Sequence, residues 1–365
     1  MGILRLLLAL SVVIDHQSMG AIKFGPGGEF SVQCFYIISG FYISLVLDRT
    51  YSSNGLFWAN RGLRLFPSYW AVAVLTPLIL PPFPTDIWAK FLSLPIVDRA
   101  FVVFSNGALF GQDWMLFLGF RHGHMSVVSH FQNSDFPLYQ LLLVPPAWSL
   151  GVELSFYALA PFILRRGWGV LLGCLLASLG LRLVLAGAGL SGDPWSYRFF
   201  PNELATFLLG CVAYRIYRAV QPSLGEKLRL SRAITVGVWV IIACVGPLGS
   251  GGDRERLFSL ALVASTLPFL SIASRSSRLD RFLGDLSYPI YICHWLGMRL
   301  VNQYMNLPQL ATKVALTVAA VIVMALALKL CIDQPIEILR SRLRDRSRLN
   351  RMQAAGALPA LEAQH

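Results

Sequence analysis

The sequence RLLLALSVVIDHQ, residues 5–17, is an apolar run that carries ionisable side chains at its two ends. Similar runs recur along the chain, which has 365 residues, 55% of them hydrophobic and only 14% charged. Soluble domains have about 25% charged residues, and about 20 apolar residues suffice to cross a bilayer as a helix. The composition therefore predicts an all-α membrane protein with many spans rather than a soluble domain.

The net charge of +12 lies mostly between the apolar runs. Basic residues follow the runs that end near residues 48, 164, 217 and 273, and they fill the tail after 332. Cytoplasmic loops of membrane proteins are enriched in Lys and Arg, so these clusters predict which loops are cytoplasmic. A nucleic-acid partner is not expected, because the aromatic and glycine-rich motifs of nucleic-acid-binding modules are missing.

Eleven apolar runs are candidate spans, at 3–19, 30–48, 66–82, 100–120, 147–164, 168–189, 199–217, 233–249, 256–273, 287–305 and 310–332. All the basic clusters can lie on the cytoplasmic side only if one of the runs between residues 66 and 147 does not cross the membrane. The run at 100–120 contains Asn106, Gly107 and Asp113, which suit a re-entrant or broken helix. The sequence therefore predicts a bundle of ten transmembrane helices over 1–338 and a basic, disordered tail over 339–365, with both termini cytoplasmic.

Arg5 and His16 are eleven residues apart, so in a helix they face nearly the same way, about 16 Å apart along its axis. Ionisable groups inside a span are costly and indicate function, and a neutral histidine suits a general base near pH 7. The structural alternatives are an interfacial anchor for Arg5 and a hydrogen-bonded core residue for His16. Asp15 lies about 100° around the helix and has no assigned role.

Two further segments carry charge next to apolar runs. Arg61 and Arg64 are spaced i, i+3, so in a helix they share a face that could grip phosphates, although positive-inside charge is the alternative. In PAWSLGVELSFY, residues 146–157, Trp148 would lie at the outer interface, and Glu153 shares a face with Tyr157. The structural alternative for Glu153 is an ion pair with Arg182 or Arg198.

LGDLSYPIYICHW, residues 283–295, places Ser287, Tyr291 and His294 on one helical stripe. In the outer loop, His122, His124 and His130 have no acidic or cysteine partner at a metal-binding spacing, so no metal site is predicted. The six cysteines lie inside apolar runs and form no metal motif.

Together these motifs resemble those of the acyltransferase 3 family, the membrane-bound O-acyltransferases that modify bacterial surface sugars. The resemblance runs from about residue 3 to residue 336. Arg5 and His16 are similar to the family's Arg-x10-His pair, and Arg61 and Arg64 are similar to its Arg-x-x-Arg. FYIISGFYIS at 35–44 is similar to its Phe-rich Ser-Gly-Phe segment.

Two later motifs extend the resemblance. WSLGVELSFY at 148–157 is similar to the family's Trp-Ser-Leu-x-x-Glu signature, and LSYPIYICHW at 286–295 is similar to its Ser-Tyr-x-x-Tyr-x-x-His segment. Leu154 and Ser155 stand where the family often has an acidic residue and Gln, and DQP at 333–335 stands where it often has Glu-x-Pro. The roles of these peripheral positions are therefore not carried over.

The resemblance implies an acyl-transfer site within the helices and a protein of the bacterial cytoplasmic (inner) membrane. It implies acyl-CoA, usually acetyl-CoA, as a cytoplasmic co-substrate, and a hydroxyl of a surface or lipid-linked carbohydrate as acceptor, with no permanently bound cofactor. Its catalytic residues would be His16, Glu153 and Arg5, and its CoA-binding residues would be Arg61 and Arg64. The residues that contact substrate would be Trp148, Tyr157 and His294.

The sequence leaves two questions open. His16 could take the proton of the sugar hydroxyl or could carry the acyl group for a time. A polytopic glycan flippase or transporter would also need charges within its spans, but it would not need the Arg-x-x-Arg or Trp-Ser-Leu-x-x-Glu motifs. An intramembrane serine protease using Ser39 or Ser149 is disfavoured because the Gly-x-Ser-Gly context is missing.

Overall fold

The computed structural model describes residues 1–80, 85–121, 124–224, 253–274 and 277–354. Its longer helices are α1 (Gly2–Ser18), α2 (Gly28–Arg49), α3 (Asn54–Ile79), α4 (Thr85–Ser93), α5 (Ile96–Ala108), α6 (Trp148–Leu164), α7 (Trp168–Gly187), α8 (Phe200–Leu224), α9 (Asp253–Ser274), α10 (Arg278–Tyr304), α11 (Leu310–Leu328) and α12 (Gln334–Ala354). The central helix is α2, which contacts α1, α6, α8 and α9. On the two sides of this core, α10 packs against α1 and α11, and α7 packs against α8.

Nine of the eleven predicted apolar runs coincide with helices of this bundle, and the run at 233–249 lies outside the described residues. Six described helices are long and apolar enough to cross a membrane, and they are Gly28–Arg49, Asn54–Ile79, Pro145–Leu164, Trp168–Gly187, Glu255–Ile272 and Leu310–Ser347. The helical bundle is compatible with the predicted membrane fold. The predicted count of ten spans is not confirmed.

The run at 100–120 is a broken helix. Helix α5 ends at Ala108, because the next residues adopt positive φ angles, 61° at Leu109 and 80° at Gly111. The chain then forms β1 (Leu118–Arg121), which pairs with β2 (His124–Val127) and β3 (Phe136–Pro137) in a small antiparallel sheet. The all-α prediction missed this sheet, which is made of strands too short to give a clear alternating pattern.

The polar residues of this broken run hold it to its neighbours. The Asn106 side chain donates to the carbonyl of Leu141 at 3.1 Å and accepts from the backbone N–H of Leu143 at 2.9 Å. The Tyr69 hydroxyl of α3 donates to the Asn106 carbonyl at 2.6 Å. The segment therefore packs its irregular backbone against protein, as the sequence predicted for a broken helix.

The start of the tail is helical, which corrects the prediction of disorder from residue 339. Helix α11 continues through a π-helical turn, Lys329–Asp333, into α12. The Ser347 hydroxyl donates to the Thr50 carbonyl at 2.9 Å, and the Asn60 side chain donates to the Arg340 carbonyl at 3.2 Å. These contacts with the loop before α3 and with α3 itself stabilise the helix, and residues 355–365 lie outside the described residues.

Helices α2 and α8 approach with their backbones in contact. A Cβ atom on Gly40 would collide with the Phe207 carbonyl oxygen, and one on Gly210 would collide with the Ile37 carbonyl oxygen. The Cys211 thiol donates to the Gly40 carbonyl at 3.4 Å across the same crossing. Small residues permit such close helix contacts in membranes, where packing drives association.

We expect Gly210→Ala to destabilise the bundle, because the added methyl group must push α2 and α8 apart. Overpacking of this kind costs about 1–3 kcal/mol. The measurement is the apparent melting temperature of the detergent-purified protein. Gly180→Ala in α7 is the matched control, since a Cβ there meets nothing within 4 Å. If both variants melted at the wild-type temperature, the close backbone contact between α2 and α8 would be wrong.

Candidate active site

A cavity of about 370 Å³ lies between α1, α2, α3, α6 and α10. Its walls include Arg5 from α1, Arg61 and Arg64 from α3, and Glu153 and Tyr157 from α6. Five of the eight residues that the sequence predicted for the site therefore line one cavity, although they come from three separate helices. The other three, His16, Trp148 and His294, do not line it.

The Glu153 carboxylate is held by two hydroxyl groups. Its Oε1 atom accepts from the Ser39 hydroxyl of α2 at 2.7 Å and from the Tyr157 hydroxyl, one turn along α6, at 2.5 Å. The alternative ion pairs are wrong, because Arg182 pairs with Glu203 and Arg198 pairs with Asp193. Glu153 is therefore a fixed carboxylate facing the cavity.

Arg5 and Arg64 bring positive charge into this cavity, whose lining also includes the carboxylates of Glu153 and Asp285. Among the described residues, neither guanidinium has a hydrogen bond or an ion pair. Arg61 donates to the Asn60 side chain at 3.1 Å, while its buried Nε atom has no partner within the described part of the chain. The three arginines are half-buried. Because charges withdrawn from water are normally paired, guanidinium groups without an ion pair favour an anionic ligand.

His16 and His294 form a hydrogen-bonded pair beyond the cavity. The His16 Nδ1 atom lies 2.8 Å from the His294 Nε2 atom, and the rings stack with centroids 5.0 Å apart. On its other side, the His294 Nδ1 atom lies 2.6 Å from the Tyr291 carbonyl oxygen. His16 is exposed, whereas only 1% of His294 is exposed.

The partners of this pair assign the tautomer of each neutral ring. A carbonyl oxygen only accepts, so His294 Nδ1 carries the hydrogen and its Nε2 atom accepts. His16 Nδ1 must then donate, which leaves a lone pair on His16 Nε2. The chain of hydrogen bonds therefore presents His16 Nε2 as a base.

Tyr291 lies between the cavity and the histidine pair. Its ring lines the cavity and also contacts the His294 ring, with centroids 5.7 Å apart. Its hydroxyl is paired with the Ser149 hydroxyl at 2.7 Å and donates to the Pro146 carbonyl at 3.1 Å. Tyr291 therefore links the wall of the cavity to the histidine pair.

Trp148 is packed into the protein rather than facing the cavity. Its ring contacts the Tyr197 ring edge-to-face at 5.0 Å, and the Arg198 guanidinium lies 4.4 Å from its centre. Only 6% of Trp148 is exposed. In this conformation one face of the ring is covered by Arg198.

Several side chains at the site had no role in the sequence analysis. Asp15 accepts a hydrogen bond from the Gly28 N–H at 3.2 Å, so it satisfies a free donor at the start of α2. Ser39, considered only as a nucleophile, holds Glu153 instead. Asp333 accepts from the Ser68 hydroxyl at 2.5 Å, which joins the π-helical turn to α3. Their sequence spacing contains no signal for these contacts between distant segments.

In the described part of the chain, no group of three or more His, Cys, Asp or Glu side chains could hold a metal ion. Of the outer histidines, His122 lies outside the described residues. His130 has its Nδ1 atom 3.3 Å from the Asp193 carbonyl oxygen.

Comparison with known proteins supports the resemblance. O-acetyltransferase OatA of Staphylococcus aureus (strain NCTC 8325 / PS 47) is 25% identical over 334 residues, 82% of this chain and 50% of that protein. An uncharacterized protein of Aquifex aeolicus (strain VF5) is 26% identical over 175 residues, 46% of this chain and 75% of that protein. The chain thus spans half the length of the S. aureus relative. No solved structure matches it.

The family described as acyltransferase domain matches residues 1–333. This range contains every motif through which the sequence resembles the acyltransferase 3 family, so the resemblance is confirmed. It also contains the arginine-lined cavity and the histidine pair. The chain therefore belongs to the acyltransferase domain family.

Proposed function

We propose that the chain is a membrane O-acetyltransferase that moves an acetyl group from acetyl-CoA to a hydroxyl of a cell-surface or lipid-linked carbohydrate. The observation that carries this proposal is the cavity in which Arg5 and Arg64 lack close anionic partners and whose wall, Tyr291, contacts His294. The family supplies the reaction class, and the name of the S. aureus relative supplies O-acetyl transfer.

The donor end of the site is the arginine-lined cavity. Arg61 and Arg64 bind the phosphates of CoA, since guanidinium groups bind phosphate through paired hydrogen bonds. Arg5 lies across the cavity on α1 and adds a third positive charge. Glu153 does not contact His16. It is held by Ser39 and Tyr157, balances part of the arginine charge and lines the cavity that would receive the pantetheine arm.

The chemical step takes place beside His16. His16 Nε2 takes the proton of the sugar hydroxyl as the oxygen attacks the thioester carbonyl, and the C–S bond breaks as the new C–O bond forms. The proton then passes to the departing CoA thiolate. His294 holds His16 in the required tautomer, and Tyr291 borders the route of the thioester from the cavity to His16.

The direct test uses purified protein, radiolabelled acetyl-CoA and a membrane saccharide fraction. Label should appear in the saccharide together with free CoA. A glycan flippase would move the saccharide without consuming acetyl-CoA, and that result would exclude the proposal. Mass spectrometry of surface glycans from a deletion strain and its parent would identify the acceptor by the acetyl groups that are lost.

We expect His16→Ala to lower kcat by about 10²–10⁴-fold, because the general base is removed. The assay is acetyl transfer at saturating acetyl-CoA. His130→Ala in the outer loop is the histidine control and should leave the rate unchanged. Full activity in His16→Ala would contradict the assignment, and acetyl label trapped covalently on that variant would exclude an acyl-His16 intermediate.

We expect Arg64→Gln to raise the KM for acetyl-CoA about 10–100-fold, since a hydrogen bond to a charged group contributes about 1.5–3 kcal/mol. The value of kcat should change less, because the phosphates lie away from the reacting carbonyl. Arg342→Gln on the exposed side of α12 is the charge control. If the KM for acetyl-CoA were unchanged in Arg64→Gln, the proposal that the arginine-lined cavity binds the donor would be wrong.

We expect His294→Phe to lower kcat and to change its pH profile, because His16 would lose the acceptor that fixes its tautomer. His294→Gln should restore part of the rate, since its amide oxygen can accept from His16 Nδ1. Rates measured from pH 5 to pH 9 check this. If both variants kept the wild-type profile, His294 would not position His16.

A further inference from the structure

A second cavity, of about 720 Å³, lies at the basic ends of α2, α6 and α8 and the start of α7. It shares no lining residue with the arginine cavity of the candidate active site. The proposed acetyl transfer makes no use of it. Its ionisable lining residues include Asp48, Arg165, Arg166, Arg215 and Arg218.

These side chains leave the second cavity strongly positive. Four arginines and one aspartate give an excess of three positive charges. Asp48 pairs with Arg218 at 3.0 Å. The Arg165 guanidinium donates to the backbone carbonyls of Tyr51 and Ser52, and such neutral acceptors do not cancel its charge.

The Arg215 guanidinium of this cavity is held in a fixed orientation. Arg215 donates to the Arg166 carbonyl at 2.7 Å, and its guanidinium lies 4.9 Å from the centre of the Trp168 ring. Contacts with a carbonyl and an aromatic face fix the direction of Arg215 without neutralising it. The cavity therefore holds a set of oriented donors for an anion.

The surroundings of the cavity are apolar and outward-facing. Trp168, at the start of α7, is 47% exposed, and Phe162 near the end of α6 is 58% exposed. Only 22% of the apolar window of α7 is buried within the protein. An exposed tryptophan beside a basic cluster at a helix end is typical of the membrane–water interface on the cytoplasmic side.

We propose that this second cavity binds the phosphate headgroup of an anionic phospholipid, with the acyl chains lying along the exposed faces of α6 and α7. The arginines supply the charge and donors for the phosphate, and the neighbouring apolar surface suits the chains. Basic pockets between membrane helices bind anionic headgroups in this way. The site is independent of the proposed acetyl transfer.

The test is native mass spectrometry of the detergent-purified full chain with equal amounts of phosphatidylglycerol and phosphatidylcholine. Wild-type protein should retain phosphatidylglycerol in preference to phosphatidylcholine. The double variant Arg166→Gln/Arg218→Gln should weaken that binding about fivefold for each arginine removed, and so about 25-fold in all. Arg342→Gln/Arg346→Gln on α12 removes the same charge elsewhere and should bind as wild type does.

Two further measurements separate lipid binding from misfolding and from binding of a soluble anion. The double variant Arg166→Lys/Arg218→Lys keeps the charge and should keep most of the binding, which a misfolded protein would not do. Inorganic phosphate and ADP test for a soluble ligand. The proposal would be overturned if the wild-type protein retained the two lipids equally, or if the glutamine variant bound phosphatidylglycerol as wild type does. It would also be overturned if ADP bound in an arginine-dependent way and displaced phosphatidylglycerol.

Discussion

The backbone contact between α2 and α8 at Gly40 and Gly210 is the constraint on which the rest of the bundle depends. It fixes the rotation of α2, the helix that contacts four others. Ser39 immediately precedes Gly40, so the same rotation directs its hydroxyl to Glu153. A side chain at either glycine would move the wall of the candidate active-site cavity as well as the helix crossing.

This packing leaves one group of charged side chains buried and another half-buried. Arg182 and Glu203 form an ion pair at 2.9 Å, and the Gln33 side chain donates to the same carboxylate at 2.8 Å. The opposite charges of that cluster pair within the protein, and the cluster joins α2, α7 and α8. Arg5 and Arg64 lack such partners in the described structure, so their positive charge remains available to a ligand.

The sequence predicted most of the described helices and five of the residues that line the cavity. It could do so because apolar periodicity and i, i+3 or i, i+4 spacing are local properties. It placed the break near Asn106 correctly for the same reason. It could not select Glu203 as the partner of Arg182, or Ser39 as the partner of Glu153, because those pairs depend on which helices become neighbours. The helical tail was missed because its stabilising contacts, such as that of Ser347 with Thr50, lie about 300 residues apart in sequence.

The π-helical turn at Lys329–Asp333 has a consequence for the geometry of the last long helix. An α-helix advances about 100° per residue, and a π-type turn accommodates one residue more than an α turn. The axis can therefore continue while the angular phase of α12 is offset from that of α11. The continuous helix can thus pack α11 against α10 and α12 against α3. A regular α-helix of the same length would not direct the correct side chains at both neighbours.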